Sequence, residues 1–220
     1  QVKLPTSEAD LAAAWAKIGG AVGVLEAWVP FQMEISVLVA RTVDGRTAVY
    51  DPAENIHRNH ILHLSLSPAR ISAATAAEAR ALTLSIAEKI QLVGLLAVEM
   101  FVQDGRIVVN ELAPRPHNSG HQTFDAHETS QFEQHVRAVC GLPLGGTKPL
   151  APSAMVNLLG DVWRNGQEPD WTKVLADPSA KLHLYDKGKA APGRKMGHIT
   201  VTAPTLEEAM LRAEALHAAL

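Results

Sequence analysis

Leu95-Leu96-Ala97-Val98-Glu99-Met100-Phe101-Val102, answered after Asp104-Gly105 by Ile107-Val108-Val109-Asn110-Glu111-Leu112, sets the architecture of this chain. Both runs are rich in residues that suit a pleated, half-buried surface, and Asp-Gly supplies the left-handed conformations that a tight hairpin turn needs. The spacing therefore predicts two antiparallel strands over 95–102 and 107–112. Glu99 is out of place in so apolar a strand, because an unpaired buried carboxylate is costly and calls for a compensating cation. Glu111 brings a second acid on the partner strand, with the Asn110 amide oxygen beside it. Two carboxylates on adjacent strands suit a hard, oxygen-seeking cation such as magnesium. Register decides whether they meet. A strict two-residue turn puts Glu99 opposite Asn110 and sends Glu111 to the other face, so the pair needs a three-residue loop or a bulge near Gly105. The competing reading is a pair of structural acids bridged to Arg106 or Arg115.

Working outward, helical spacing of Leu11, Trp15 and Ile18 after a Ser7–Asp10 capping box predicts a short helix ending at Gly19-Gly20. Strands are predicted over 22–29 and 34–40, on either side of Pro30, then over 46–50 after the Asp44-Gly45 turn. Residues 51–60 read as a polar break before an alternating strand over 61–66. Thr75 with Glu78 opens a helix whose apolar positions Leu82, Ile86, Ile90 and Leu92 carry it to Gly94, and Ser130 with Glu133 opens another that reaches Cys140. The 145–149 stretch, Gly-Gly-Thr-Lys-Pro, reads as a linker. Beyond it come strands near 155–159, 182–185 and 198–202 and a last helix from about Thr205, forming a second, smaller unit.

The 220 residues are 47% hydrophobic and 20% charged, enough for one generous domain or a domain with a small appendage. With 20 basic and 23 acidic side chains the net charge is −3, which excludes nucleic-acid or anionic-membrane binding through bulk charge. The single cysteine, Cys140, rules out an internal disulfide and a multi-cysteine zinc site, and it reads as a buried structural thiol at a helix end. No secretion signal or apolar run of about 20 residues stands out, so the cytoplasm is the expected location. His57 and His60 sit in the polar break, read as a surface loop, and lack zinc partners. No Gly-x-Ser-x-Gly, Walker or dinucleotide fingerprint is present.

Three further segments carry chemistry. Backbone groups around Glu26-Ala27-Trp28-Val29 could read an adenine edge and Glu34 could accept from ribose hydroxyls, although both acids also fit exposed strand positions. Arg115, His117, Asn118 and Ser119 crowd between two prolines and a glycine just after Glu111, and could orient a small planar anion or simply make a polar connection with a cap at Ser119. Lys187, Lys189, Arg194 and Lys195 surround Gly188 and Gly193, as in a compact phosphate loop or a solvated basic turn.

The run Asn110-Glu111-Leu112-Ala113-Pro114-Arg115-Pro116-His117-Asn118-Ser119-Gly120-His121 resembles the 5-(carboxyamino)imidazole ribonucleotide synthase family of ATP-grasp enzymes, also called the ATPase subunit of phosphoribosylaminoimidazole carboxylase. The resemblance extends from Gln1 to about Thr202 and takes in Glu26 to Phe31, Glu34, Asn55-Ile56-His57, Ala97-Val98-Glu99 and the basic segment from Tyr185 to His198. It implies an α+β fold: an ATP-grasp antiparallel sheet with flanking helices over 1–144 and a small C-terminal β-rich domain over 150–220. It also implies ATP and magnesium as cofactors, 5-aminoimidazole ribonucleotide and bicarbonate as substrates, and a homodimer. Glu26, Ala27, Trp28 and Val29 would hold adenine, Glu34 ribose, and His57 would join the nucleotide site. Glu99 and Glu111 would hold magnesium with Asn110 beside them. Arg115, His117 and Asn118 would serve catalysis, with Ser119 on the substrate side. Lys187, Arg194 and Lys195 would face the ribotide phosphate. The family carries an amino-terminal domain and a glycine-rich loop ending Gly-Lys-Gly-Gln ahead of the point where this sequence starts, so both are expected to be missing, with Gln1 as the loop's last residue. Two alternatives remain open: a formate-dependent glycinamide ribonucleotide transformylase-like ligase with a similar loop, and an inactive fragment that only binds nucleotide.

Overall fold

A computed structural model describes residues 8–220. The chain divides into two compact units, Gln1–Pro30 and Phe31–Leu220. In the first, α1 spans Glu8–Lys17, as the spacing predicts, and gives way to Gly19 and Gly20 at φ 63° and 73°; Ser7, the expected cap, lies outside the described residues. The strand expected over 22–29 does not form, and Val22, Val24, Leu25 and Trp28 are exposed. Strand propensity reflects a fit to a sheet surface, and among the described residues this unit offers no neighbouring strand.

The second unit is built on one nine-stranded sheet. Its strands are β1 (Met33–Arg41), β2 (Thr47–Val49), β3 (Ala53–Arg58), β4 (Ile61–Ser67), β5 (Gly94–Gln103), β6 (Arg106–Ala113), β7 (Ser153–Leu159), β8 (Ala180–Leu184) and β9 (Lys195–Thr202). They run in the order β6-β5-β1-β3-β4-β7-β9-β8, every pairing antiparallel, with β2 beside the far end of β1. The helices are α2 (Ala73–Lys89), α3 (Thr123–Ala126), α4 (Gln131–Val139), α5 (Thr172–Leu175) and α6 (Leu206–Ala218).

Alternation along the strands separates two faces. In β1, Ile35, Val37 and Val39 point one way, join Leu96, Val98 and Met100 of β5, and bury Ala79 and Ala87 of α2. Farther along the sheet, Leu64, Leu66, Val156, Leu158, Ile199 and Val201 do the same with Ala209 and Ala213 of α6. The opposite face reads Glu34 and Ser36 on β1, Asn55 and His57 on β3, Ser65 on β4 and Asn157 on β7, aligned by register pairs such as Glu34↔Asn55 and Asn55↔Ser65. One side of the sheet is thus an apolar floor for two helices, and the other keeps a polar middle.

Residues 51–60 are therefore not a break. Strand β3 runs through them with Ala53, Glu54 and Asn55 buried, Glu54 on the helical face paired to Arg70 at 2.5 Å and Asn55 on the polar face. Polar residues on both faces erase the alternation by which a strand is recognised. Helix α2 also departs from expectation. It starts one turn early, capped by Ser72, whose hydroxyl accepts from Thr75 N at 3.1 Å, and it ends at Lys89 rather than Gly94. Gln91 takes φ 51°, and Leu92 N donates to Ala87 O at 3.0 Å, a Schellman closure in which Leu92 supplies the apolar contact after the helix. Cys140 caps α4 with its thiol exposed, not buried, because Gly141 turns the chain away there. The expected linker at 145–149 is fastened down: Gln134 holds both backbone groups of Gly145, and Thr147 Oγ1 donates to Val49 O at 2.8 Å.

Candidate functional site

The hairpin of β5 and β6 turns tightly through Asp104 and Gly105, both at positive φ, with Gln103 opposite Arg106. Near the turn the register is that of a strict two-residue loop, so the bulge expected near Gly105 is not there. It sits farther along: Met100 pairs with Val109, Glu99 pairs with Glu111, and Asn110 is the extra residue between. A bulge restores the missing step of register. Directly opposed residues share a face, so Glu99 and Glu111 lie on the same side, and Ser36, opposite Glu99, places them on the polar face. Neither acid pairs with Arg106 or Arg115 among the described residues; Glu99 Oε1 stands 3.5 Å from His117 Nε2.

Glu99 is largely withdrawn from water, and burial raises its pKa; His57 and Lys195 pull it down, while the carboxylates of Glu111 and Glu34 push it up. The charges of Glu111 and Glu34 both bear on Glu99, and the two facing carboxylates of the hairpin fit a hard divalent cation, which oxygen ligands with excess negative charge attract.

Glu34 on β1 and His57 on β3 meet at 2.5 Å between Oε2 and Nδ1. His57 thus sits on a strand beside the acids, not in a surface loop. The turn after β6 packs down on the same face. Ser119 is fully buried; its Oγ receives a hydrogen bond from Ser36 Oγ at 2.8 Å and its carbonyl one from Ser65 Oγ at 3.0 Å. Gln131, at the first turn of α4 and fully buried, accepts from His117 N at 2.9 Å and donates to His117 O at 2.8 Å. These bonds fix the backbone of His117. Its Nδ1 caps the short 3-10 turn Asn118–Gly120, lying 3.4 Å from Ser119 N and 2.9 Å from Ser119 Oγ, which directs Nε2–H toward Glu99. Burial lowers the His117 pKa to about 4, helped by Arg115, Lys195 and His57, so the ring is neutral near pH 7.

A cleft of about 390 Å³ opens here, lined by His57, Glu99, His117, Lys187 and Lys195 together with Leu62. Lys195, at the start of β9, is half-buried; burial lowers its pKa against the pull of Glu99, and Lys187 and Arg115 lower it further. Lys187 lies with its Nζ 5.2 Å from the centre of the Tyr185 ring.

The other expected residues divide. Asn118 lies under the cleft rather than lining it, locked to Asn157 by two amide hydrogen bonds of 2.9 and 2.7 Å, and Asn157 also donates to Leu62 O. Arg115 is exposed, its guanidinium 3.1 Å from Pro116 O, and reaches the site through its charge on His117 and Lys195. Arg194 is exposed, donates to Lys189 O at 3.2 Å, and does not line the cleft. Glu26, Ala27, Trp28 and Val29 belong to the first unit, in irregular chain, with Val29 half-buried and the others exposed. Ser36, Ser65, Gln131 and Asn157 were not foreseeable as support: each is an ordinary polar residue whose role arises only from the register that places it under the turn.

The chain belongs to the ATP-grasp family, matching the ATP-grasp domain over residues 3–132. Residues 153–212 match the phosphoribosylaminoimidazole carboxylase C-terminal domain. Among curated relatives, the chain is 52% identical to the N5-carboxyaminoimidazole ribonucleotide synthase of Bacillus subtilis (strain 168), over 88% of this chain and 50% of that protein. It is 44% identical to the enzyme of the same description from Brucella melitensis biotype 1, over 93% of this chain and 56% of the relative. Among solved structures, that of an N5-carboxyaminoimidazole ribonucleotide synthetase in complex with ADP superposes with TM-score 0.87 at 49% identity, covering 96% of this chain and 55% of the other. An Aspergillus clavatus N5-carboxyaminoimidazole synthase complexed with ADP and 5-aminoimidazole ribonucleotide gives TM-score 0.79 at 38% identity, covering 87% and 52%. The chain spans about half the length of the curated relatives it matches.

Proposed function

We propose that this chain carries the magnesium side of the nucleotide cleft of an ATP-dependent carbon–nitrogen ligase. The ligase joins bicarbonate to the exocyclic amine of 5-aminoimidazole ribonucleotide, giving 5-(carboxyamino)imidazole ribonucleotide for de novo purine synthesis. The observation that carries this reading is Glu99 facing Glu111 across the Asn110 bulge, with Glu99 lining a cleft shared with His117, Lys187 and Lys195.

Bicarbonate is a poor electrophile, so ATP is spent in activating it as carboxyphosphate before the amine attacks carbon. Bound magnesium supplies neutralisation of charge on the transferring phosphoryl group. Glu99 and Glu111 hold it, with Asn110 between them, and Glu34 with His57 contacts the sugar side of the nucleotide. Glu26, Ala27, Trp28 and Val29 are the adenine-holding residues that the family resemblance implies. His117, neutral and with Nε2–H directed into the cleft, positions bicarbonate without bringing a charge that would need hydration. Arg115 stabilises the anionic intermediate through its field, with Asn118 and Ser119 keeping the turn in place. Lys187 and Lys195 hold the ribotide phosphate, with Arg194 at the rim of the same loop. Residues 1–144 form the nucleotide and magnesium part and 150–220 the part closing on the ribotide; matches to separate families over 3–132 and 153–212 support that division. The protein is a cytoplasmic homodimer.

The test is ADP release with each substrate omitted in turn. Turnover that needs the imidazole ribotide and bicarbonate supports the assignment. Turnover that needs formate and glycinamide ribonucleotide overturns it, and ADP binding with no turnover under either condition marks a nucleotide-binding piece.

A further inference from the structure

A second cavity, about 400 Å³, shares no lining residue with the cleft and is walled by Phe124, Phe132, Leu182 and Leu184 with His183 and His198 among them. His183 on β8 and His198 on β9 are directly opposed in register, and their rings stack 4.5 Å apart at 11°. Asp125, in the short helix α3, reaches across so that its Oδ2 lies 2.8 Å from His183 Nε2. One ligating atom from each of the three residues lies within 4.8 Å of the other two, and no other such group exists among the described residues.

A hydrogen bond between Asp125 and His183 accounts for two members of this group but leaves the third unexplained. His198 is 4% exposed, and its Nε2 is buried without any hydrogen-bond partner. Unpaired buried polar atoms are uncommon and costly. The other nitrogen, Nδ1, lies 2.6 Å from the Tyr185 hydroxyl. With Nδ1–H donated to the phenol oxygen, Nε2 keeps a free lone pair, the arrangement in which an outer hydrogen bond orients a metal-binding imidazole.

We propose that Asp125, His183 and His198 form a binding site for a divalent transition-metal ion of the zinc class, separate from the Glu99–Glu111 pair. Two imidazoles and one carboxylate suit zinc and its neighbours, whereas magnesium prefers an all-oxygen shell. Ligand atoms around a tetrahedral zinc stand about 3.3 Å apart, given metal–ligand bonds of about 2.0–2.2 Å. An ion between them therefore replaces the proton shared by Asp125 and His183, moves these two apart from 2.8 Å and draws His198 in, and it ties α3 to the β8–β9 edge of the sheet. Three protein ligands leave a fourth position open to the aromatic-walled cavity.

The test uses the full chain, stripped of metal and titrated with Zn²⁺ and, for a spectroscopic signal, Co²⁺. The expected result is one zinc per chain after gel filtration, visible d–d absorption with Co²⁺ of tetrahedral intensity, and a Zn²⁺-dependent rise in Tm. His183→Ala and Asp125→Asn, both at partly exposed side chains, should lose all three while keeping the circular dichroism of the wild type. Glu99→Gln should retain all three, which separates this site from the hairpin acids; His217→Gln should retain them too, which excludes binding at His63 of β4 and His217 of α6, whose rings lie 5.1 Å apart. Zinc stoichiometry unchanged in His183→Ala, or lost in Glu99→Gln, overturns the proposal, as does a wild-type chain that binds no zinc.

Discussion

Gln131→Leu is the sharpest probe of how the histidine turn is held. Leucine nearly matches the shape of glutamine, so the change removes hydrogen bonds without opening a large cavity. What it strands is His117 N, which the Gln131 amide oxygen serves at 2.9 Å; His117 O loses one bond of 2.8 Å but keeps that from Gly120 N at 3.0 Å, and the contact of Nε2 with His121 Nδ1 at 2.8 Å also goes. A buried group left without its partner costs about 1–3 kcal/mol. His121 faces a cavity, so the one stranded amide sets the loss at about 1–3 kcal/mol. For a chain of this size each kcal/mol lowers Tm by about 2–4 °C, giving a fall of about 2–12 °C. Gln134→Leu is the matched control: Gln134 is equally buried and serves Gly145 N and O at 2.9 and 2.7 Å in the same manner. Both variants should lose comparable Tm, but hydrogen exchange resolved by peptide should separate them. Gln131→Leu should speed exchange at Gly120 and His121, whose amides bond within the turn, and Gln134→Leu should speed it around Gly145 instead. A Gln131→Leu protein with wild-type Tm and unchanged exchange over 117–121 would refute the idea that this amide positions His117.

Two further outcomes follow from packing and charge. A Cβ added at Gly160 would overlap the backbone of Ala191, with Ala191 N at 2.6 Å, so Gly160→Ala should displace the basic loop, lower stability by about 1–3 kcal/mol and accelerate exchange over 186–194; an unchanged denaturation midpoint would contradict this. At Asp177, burial opposes ionisation, but hydrogen bonds from Arg212 and Ser179 outweigh it and hold the carboxyl below its ordinary 3.8. A depressed folded-state pKa contributes stability above the unfolded value and loses it as pH falls through the folded one. Asp177→Asn should therefore be less stable than wild type at pH 7, with the gap closing below about pH 4. A gap that stays constant down to about pH 2 would show that the carboxylate charge is not what matters.

Much of this was legible in the chain. A carboxylate in an apolar strand announces a site because burial makes it expensive, and Asp104-Gly105 fixes where the hairpin turns. The sequence from Asn110 to His121 identified the loop that bears the histidine. What could not be read is register. Asn110 carries no mark of a bulge, since any residue can be the extra one, yet on it depends whether Glu111 joins Glu99. Strand β3 was hidden for a related reason: Glu54 is compensated by Arg70 and Asn55 by Ser65, and such partners lie far away in sequence or across a turn. The converse error occurred at 22–29, where local propensity suggested a strand and no partner strand exists to complete it among the described residues of that unit.

The Asn110 bulge brings two carboxylates onto one face, and Mn²⁺ binding shows whether they hold a divalent ion. Measured by electron paramagnetic resonance in the presence of ADP, Glu99→Gln and Glu111→Gln should each weaken Mn²⁺ binding by about tenfold or more, equivalent to about 1.4 kcal/mol. Deletion of Asn110 should match Glu111→Gln, because it returns Glu111 to the opposite face. Wild-type Mn²⁺ affinity in all three proteins would contradict the account.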